Sequence, residues 1–143
     1  MEHWRNWLYT DFMNVLDLTP LKNALKQLEE GLLRAKKEPE NELSRDGVIQ
    51  RFEYSHELAV KFIKRVLEMK HNDNVDQMIY NDILRTAFER GYVKNVEQWF
   101  EYRKARNQTS HTYDVKVATH VYSFAEPFLT EAKYLLENLE RSN

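Results

Sequence analysis

Apolar residues along this chain recur three and four positions apart and almost never alternate, a pattern that predicts helices and no paired strands. From residue 3 to 16, Trp4, Leu8, Phe12 and Val15, widened by Trp7 and Leu16, predict a short amphipathic helix. Thr19-Pro20 then supplies a hydroxyl cap and a proline at the first helical position. Leu21, Leu25, Leu28, Leu32 and Ala35 carry the next helix to Lys36-Lys37, whose charges suit the negative end of the helix dipole. Residues 38–45, with Pro39, read as a polar connection. The longest helix is expected from about Asp46 to Lys70 on Ile49, Phe52, Ala59, Phe62, Ile63 and Val66, with His56 on that apolar face as a hydrogen-bonded core histidine. A third helix, with Ile83, Leu84, Ala87 and Phe88 inward, stops at Gly91, a residue suited to a left-handed C-cap. Asn95-Val96-Glu97-Gln98 resembles a capping box opening a fourth helix through Trp99 and Tyr102 to about Arg106. Val117, Val121, Phe124, Phe128, Ala132, Leu135 and Leu139 extend a last stripe that Pro127 must kink or restart. Short connections favour antiparallel neighbours. The expected fold is therefore all-α, an up-and-down antiparallel four-helix bundle with an additional short N-terminal helix.

Composition narrows what such a bundle can do. With 143 residues, 3 Gly, 3 Pro and no low-complexity tract, the chain has the size of a single domain, 1–143. The net charge of −2 gives no general field for polyanions, so any nucleic-acid contact must come from a local basic patch. Zero Cys excludes thiol catalysis and disulfides and fits a reducing compartment. No apolar run approaches the ~20 residues of a membrane span, and Met1-Glu2-His3-Trp4 does not begin a secretory signal, so a cytoplasmic location is expected. No second ligand stands three or four positions from His56, and His71-Asn72-Asp73-Asn74 lacks the acidic alternation of a calcium loop. No metal and no cofactor are expected.

One segment carries chemistry without a hydrophobic reason to exist: Arg106-Asn107-Gln108-Thr109-Ser110-His111-Thr112-Tyr113-Asp114. Asn107 to Ser110 are weak helix formers, so the segment reads as a corner between two helices. A helix starting near Ser110 or Thr112 would point free N–H groups at an anion, and Arg106 would add a permanently charged planar fork. His111 supplies an imidazole, a side chain that can both accept and donate a proton. Beside a phosphodiester it can act as acid or base while a ribose 2′-hydroxyl attacks, which makes these the minimum parts for metal-independent RNA cleavage. The Arg–His spacing alone is cheap. It recurs at Arg51 and His56, about 140° apart on one helix, and with one more residue at Arg65 and His71. On the chemistry alone, a capped turn with Arg106 serving the helix dipole remains the competing reading.

The corner motif, preceded by Trp99 and joined to Asp46-Gly47-Val48-Ile49-Gln50-Arg51-Phe52-Glu53, resembles the HEPN superfamily, and within it the nucleotidyltransferase substrate-binding protein group. The similarity runs from about Leu16 to Leu139, leaving residues 1–15 as an N-terminal extension of a bundle at 16–140. The resemblance implies a homodimer encoded beside a minimal nucleotidyltransferase, first viewed as its substrate-presenting subunit and later as a toxin with its antitoxin. It implies that Arg106 and His111 are catalytic in RNA cleavage, with Asn107 as the motif's polar neighbour. Arg106, Asn107, Ser110 and His111 form the expected phosphate or nucleotide site. Tyr113 is the position to which the partner would transfer AMP, silencing the toxin. The alternative is a non-catalytic subunit that binds nucleotide or substrate for a two-component nucleotidyltransferase. The chain has neither Gly-Ser nor Asp-x-Asp, so it is not itself the nucleotidyltransferase. It departs from many relatives at Val60, where they carry an aromatic residue, a difference that bears on packing.

Overall fold

In the computed structural model, which describes residues 9–10 and 15–143, the bundle is built from six helices. They are α1 (Thr19–Lys37), α2 (Glu42–His71), α3 (Tyr80–Glu89), α4 (Val96–Asn107), α5 (Val115–Tyr122) and α6 (Ala125–Ser142). Short 3₁₀ turns at Val75–Gln77 and Thr109–His111 fill two of the connections. The all-α class follows the apolar periodicity, and α2 touches every other helix.

The N-terminal helix expected over residues 3–16 is not what its described positions form. Tyr9–Thr10 (β1) and Val15–Leu16 (β2) pair antiparallel, Tyr9 opposite Leu16 and Thr10 opposite Val15. Trp4, Trp7, Leu8 and Phe12 lie outside the described residues. The physical reason sits at the far end of the chain. The Leu16 N–H donates to Asn143 Oδ1 at 3.0 Å, and Asn143 Nδ2 donates to the Leu16 carbonyl at 3.0 Å. This two-bond clamp satisfies an extended backbone and competes with helical hydrogen bonding, while the Leu16 side chain is buried.

α2 begins four residues before Asp46 because Asn41 caps it. The Asn41 Oδ1 accepts from the N–H groups of Leu43 at 2.9 Å and Ser44 at 3.2 Å. Asn72 ends the helix in the left-handed conformation at φ 57°. Gly91 does the same after α3 at φ 87°, as its position suggests. Phe88, expected inward, is 52% exposed: Ile83, Leu84 and Ala87 complete the buried stripe of a ten-residue helix, and Phe88 turns past it. Asn95 does not cap α4 with its side chain. Its Nδ2 donates instead to Glu131 Oε2 at 3.1 Å, tying the start of α4 to α6.

The stripe after the corner is two helices, α5 and α6, broken between Tyr122 and Ala125. Pro127 falls in the first turn of α6, where a missing N–H costs no intrahelical bond. The break lets Phe128 enter the centre, edge-on to Phe52 at 5.3 Å, Tyr102 at 5.5 Å and Trp99 at 5.7 Å between ring centroids. That cluster locks α2, α4 and α6 together, and each fully buried large side chain is worth roughly 1.5–3 kcal/mol in transfer free energy. α1 is fastened to α6 at the surface by ion pairs Lys22–Glu140, Lys36–Glu126 and Lys133–Glu29, each of small energetic weight.

Candidate functional site

The corner between α4 and α5 is reached through α4, whose inward residues Trp99, Tyr102 and Ala105 are buried and so fix the outward direction of Arg103 and Arg106. Arg106, half-buried in the last turn, lies against the polar face of α2. One terminal nitrogen is 3.8 Å from Glu53 Oε2 and the other 3.6 Å from Glu57 Oε2. Both distances are outside hydrogen-bond range, so attraction orients the guanidinium without committing its N–H donors. Glu53 has a closer partner: Thr109 Oγ1 lies 2.9 Å from Glu53 Oε2 and 2.8 Å from the Arg106 carbonyl. This hydroxyl stitches the 3₁₀ turn to α2.

The helix terminus expected to hold an anion is not open. α5 starts at Val115, later than Ser110 or Thr112, and Asp114 caps it with a carboxylate that accepts the Lys116 N–H at 2.9 Å. A negative side chain already occupies the place the dipole of α5 would offer to an anion. His111 ends the 3₁₀ turn, its N–H bound to the Gln108 carbonyl at 3.0 Å. Its ring stands at 73° to that of Tyr113, 6.3 Å between centroids. Ser110 and His111 are exposed, and Tyr113 is 85% exposed.

On the other side of Arg106 a cavity of about 350 Å³ opens between α2, α3 and α4. Arg106 and Asn107 line it; Ser110, His111 and Tyr113 do not. Its remaining charged lining is Lys61, Lys64 and Arg103 with the single carboxylate of Glu57, against an apolar wall of Val60, Met78 and Ile83. At its floor Tyr80 donates to the Trp99 carbonyl at 2.9 Å and accepts from His56 Nε2 at 3.1 Å, which fixes the neutral Nε2–H tautomer of His56. His56 is therefore the bonded core histidine that its place on the apolar face of α2 suggests. Burial, then the charges of Arg106 and Arg103, lower its pKa to about 3, and burial raises that of Tyr80. Arg103 lies over the Tyr80 ring at 4.6 Å.

The residues missed in the linear reading are Glu57, Lys61, Lys64 and Arg103, together with a role for Glu53. Their signal was present. Glu53, Glu57, Lys61 and Lys64 fall four, four and three apart along one face of α2, and Arg103 precedes Arg106 by three. Among the described residues no three His, Asp or Glu side chains converge as a metal cage, and no helix is long and apolar enough to cross a membrane.

Comparison with known proteins agrees with this architecture. A family model described as nucleotidyltransferase substrate binding protein like matches residues 16–141. The chain is 40% identical over 99 residues, 68% of its own length and 68% of the other's, to a Haemophilus influenzae protein named probable ribonuclease HepT. A solved Haemophilus influenzae structure, described as revealing the fold of a substrate-binding domain of a nucleotidyltransferase, matches with a TM-score of 0.81 at 33% identity, covering 87% of this chain and 99% of that one. A Thermus thermophilus structure with a TM-score of 0.71 and 24% identity, covering 83% and 98%, shares the fold. With nearly the whole bundle matched, the chain belongs to the nucleotidyltransferase substrate-binding-protein-like family, the group its corner motif resembles.

Proposed function

We propose that the chain is a HEPN-type toxin that cleaves RNA without a metal ion, as one cytoplasmic partner of a minimal nucleotidyltransferase that silences it by AMP transfer. The observation that carries this reading is the state of Arg106: a half-buried guanidinium oriented by Glu53 and Glu57 with its donors uncommitted, one turn from the exposed His111 and Tyr113. The name of the 40% identical relative, a probable ribonuclease, supports it. In the proposed step the 2′-hydroxyl attacks phosphorus and loses its proton to His111. The bond from phosphorus to the 5′-oxygen breaks to leave a 2′,3′-cyclic phosphate, that oxygen takes the proton back from His111, and Arg106, with Asn107 and Ser110 at the same corner, holds the charged phosphoryl oxygens. Residues 16–140 act as one unit behind the 1–15 extension. Exposed Val115, at the start of α5 beside the corner, marks the seam where a second copy encloses the site and leaves the Tyr113 hydroxyl accessible. AMP esterified to the Tyr113 hydroxyl places a bulky anion there and excludes the RNA phosphate.

Incubation of the full chain with RNA in a chelator tests this. Cleavage that persists without metal and is lost in a folded His111→Ala variant is expected; activity that requires metal, or survives the substitution, refutes it. A second reading, a non-catalytic nucleotide- or substrate-binding subunit, is favoured by the cavity that includes Arg106 and Asn107 but not His111. Calorimetric titration showing binding neither of ATP nor of a neighbouring nucleotidyltransferase would exclude it.

A further inference from the structure

Two of the cations in the α2–α3–α4 cavity have no carboxylate partner. Lys64, half-buried on α2, makes no ion pair or hydrogen bond among the described residues, and Arg103 on α4 makes only its contact with the Tyr80 ring. Lys61, by contrast, is paired with Glu57 at 3.4 Å. Solvent-exposed lysines commonly go unpaired, but here four cations and one carboxylate converge on one concavity in a chain whose net charge is −2. The volume of about 350 Å³ is at the lower end of the range for small-ligand pockets, roughly 300–1,000 Å³, and suits one nucleotide unit. The chemistry is graded across the cavity. Cationic groups line the α2 and α4 sides, and Val60, Met78 and Ile83 provide a dry wall for a base or ribose face. Arg103 is stacked and so positioned before any ligand arrives, which reduces the ordering cost of binding.

We infer that this cavity is a second phosphate subsite, in which Lys64 and Arg103 bind the phosphate of the nucleotide next to the one held by Arg106, with its base against Val60, Met78 and Ile83. The ligand class is a nucleoside phosphate, either a neighbouring unit of an RNA strand or a free mononucleotide. This rests on the proposed function only in that Arg106 meets a nucleic-acid phosphate. It does not require that His111 cut anything.

The test is binding by fluorescence anisotropy of a short 2′-O-methyl oligonucleotide, which cannot supply the attacking hydroxyl, to the full chain and to its Lys64→Gln and Arg103→Gln variants at several salt concentrations. Each substitution should weaken binding by about fivefold at low salt and flatten the slope of log affinity against log salt by about 0.7, the value for one single-strand phosphate contact. Lys64→Gln breaks no ion pair or hydrogen bond among the described residues, so it keeps the test valid if Arg103→Gln disturbs the Tyr80 stack. Calorimetric titration with AMP identifies the source. Lys64-dependent binding of the oligonucleotide assigns the subsite to RNA, and Lys64-dependent binding of AMP alone assigns it to a free nucleotide. Affinity and salt slope unchanged by both substitutions, for both probes, overturn the subsite. Absence of RNA cleavage by the native chain with these dependences intact refutes the catalytic reading alone.

Discussion

His56 offers a sharp test of the packing beneath the site. It is buried in α2, hydrogen-bonded to the Tyr80 hydroxyl, and its pKa falls from 6.5 to about 3 because burial penalises the charged ring and Arg106 and Arg103 repel it. The folded state therefore refuses a proton that the unfolded chain accepts. Between pH 6.5 and about 3 the unfolded state binds more protons, so stability falls as pH falls through that window and is fully retained above it. With those two values the loss is under about 1 kcal/mol at pH 6 and about 2 kcal/mol at pH 5. For a domain of this size, 2 kcal/mol lowers Tm by about 7 °C. The assay is thermal unfolding followed by circular dichroism from pH 7.5 to 5, a range in which most carboxylates stay ionised, for the native chain and for His56→Gln. The variant should be less stable throughout but nearly flat with pH. If both proteins lose stability in parallel between pH 7 and 5, His56 is not the neutral buried group described.

Three further outcomes follow from the packing and the charge arrangement. Phe128→Ala removes the ring that meets Phe52, Trp99 and Tyr102 edge-on and should cost about 3–5 kcal/mol in urea unfolding, where a cost below about 1 kcal/mol would show that the cluster does not hold the three helices. Gly91→Ala meets nothing within 4 Å but must adopt φ +87°, so it should cost about 1 kcal/mol from backbone conformation alone, with the m-value unchanged. Glu57→Gln removes one of the two charges beside Arg106 and the carboxylate of the cavity. It should tighten oligonucleotide binding by about threefold at low salt, an effect that should vanish near 1 M salt, whereas weaker binding would mean that Glu57 orients Arg106 more than it competes with the ligand.

The helices were legible because each needs only a local apolar stripe, and the α3 stop at Gly91 because left-handed geometry selects glycine. Two of the differences share a cause: a distant side chain outbids the local pattern. Leu16 is extended because Asn143 takes both of its backbone groups, and Asn95 abandons its cap for Glu131, partners 127 and 36 residues away. Asn41 was a local signal, but Pro39 two residues earlier drew the helix start too far downstream. At the site, Arg106, His111 and Tyr113 stood out because a polar corner interrupts two apolar stripes. Lys64 and Arg103 did not, since a lysine on the solvent face of a helix has no distinguishing sequence context until α4 is packed opposite it.

That opposition also explains why the chain's charge told so little. Along the polar face of α2 the sign changes from Glu53 and Glu57 to Lys61 and Lys64, and the sum over the face is zero. Packed beside it, α4 sets Arg106 against the acidic half and Arg103 in the cavity with the basic half. The acidic half orients one cation without hydrogen bonding it, and among the described residues Lys64 on the basic half and Arg103 opposite it have no carboxylate partner. In the proposed site a phosphate would gain from both, replacing weak contacts at Arg106 and meeting the cations of the cavity. Local sign along two helices, fixed by the buried Trp99, Tyr102 and Phe52 beneath them, therefore gives the proposed site a basic character that a net charge of −2 conceals.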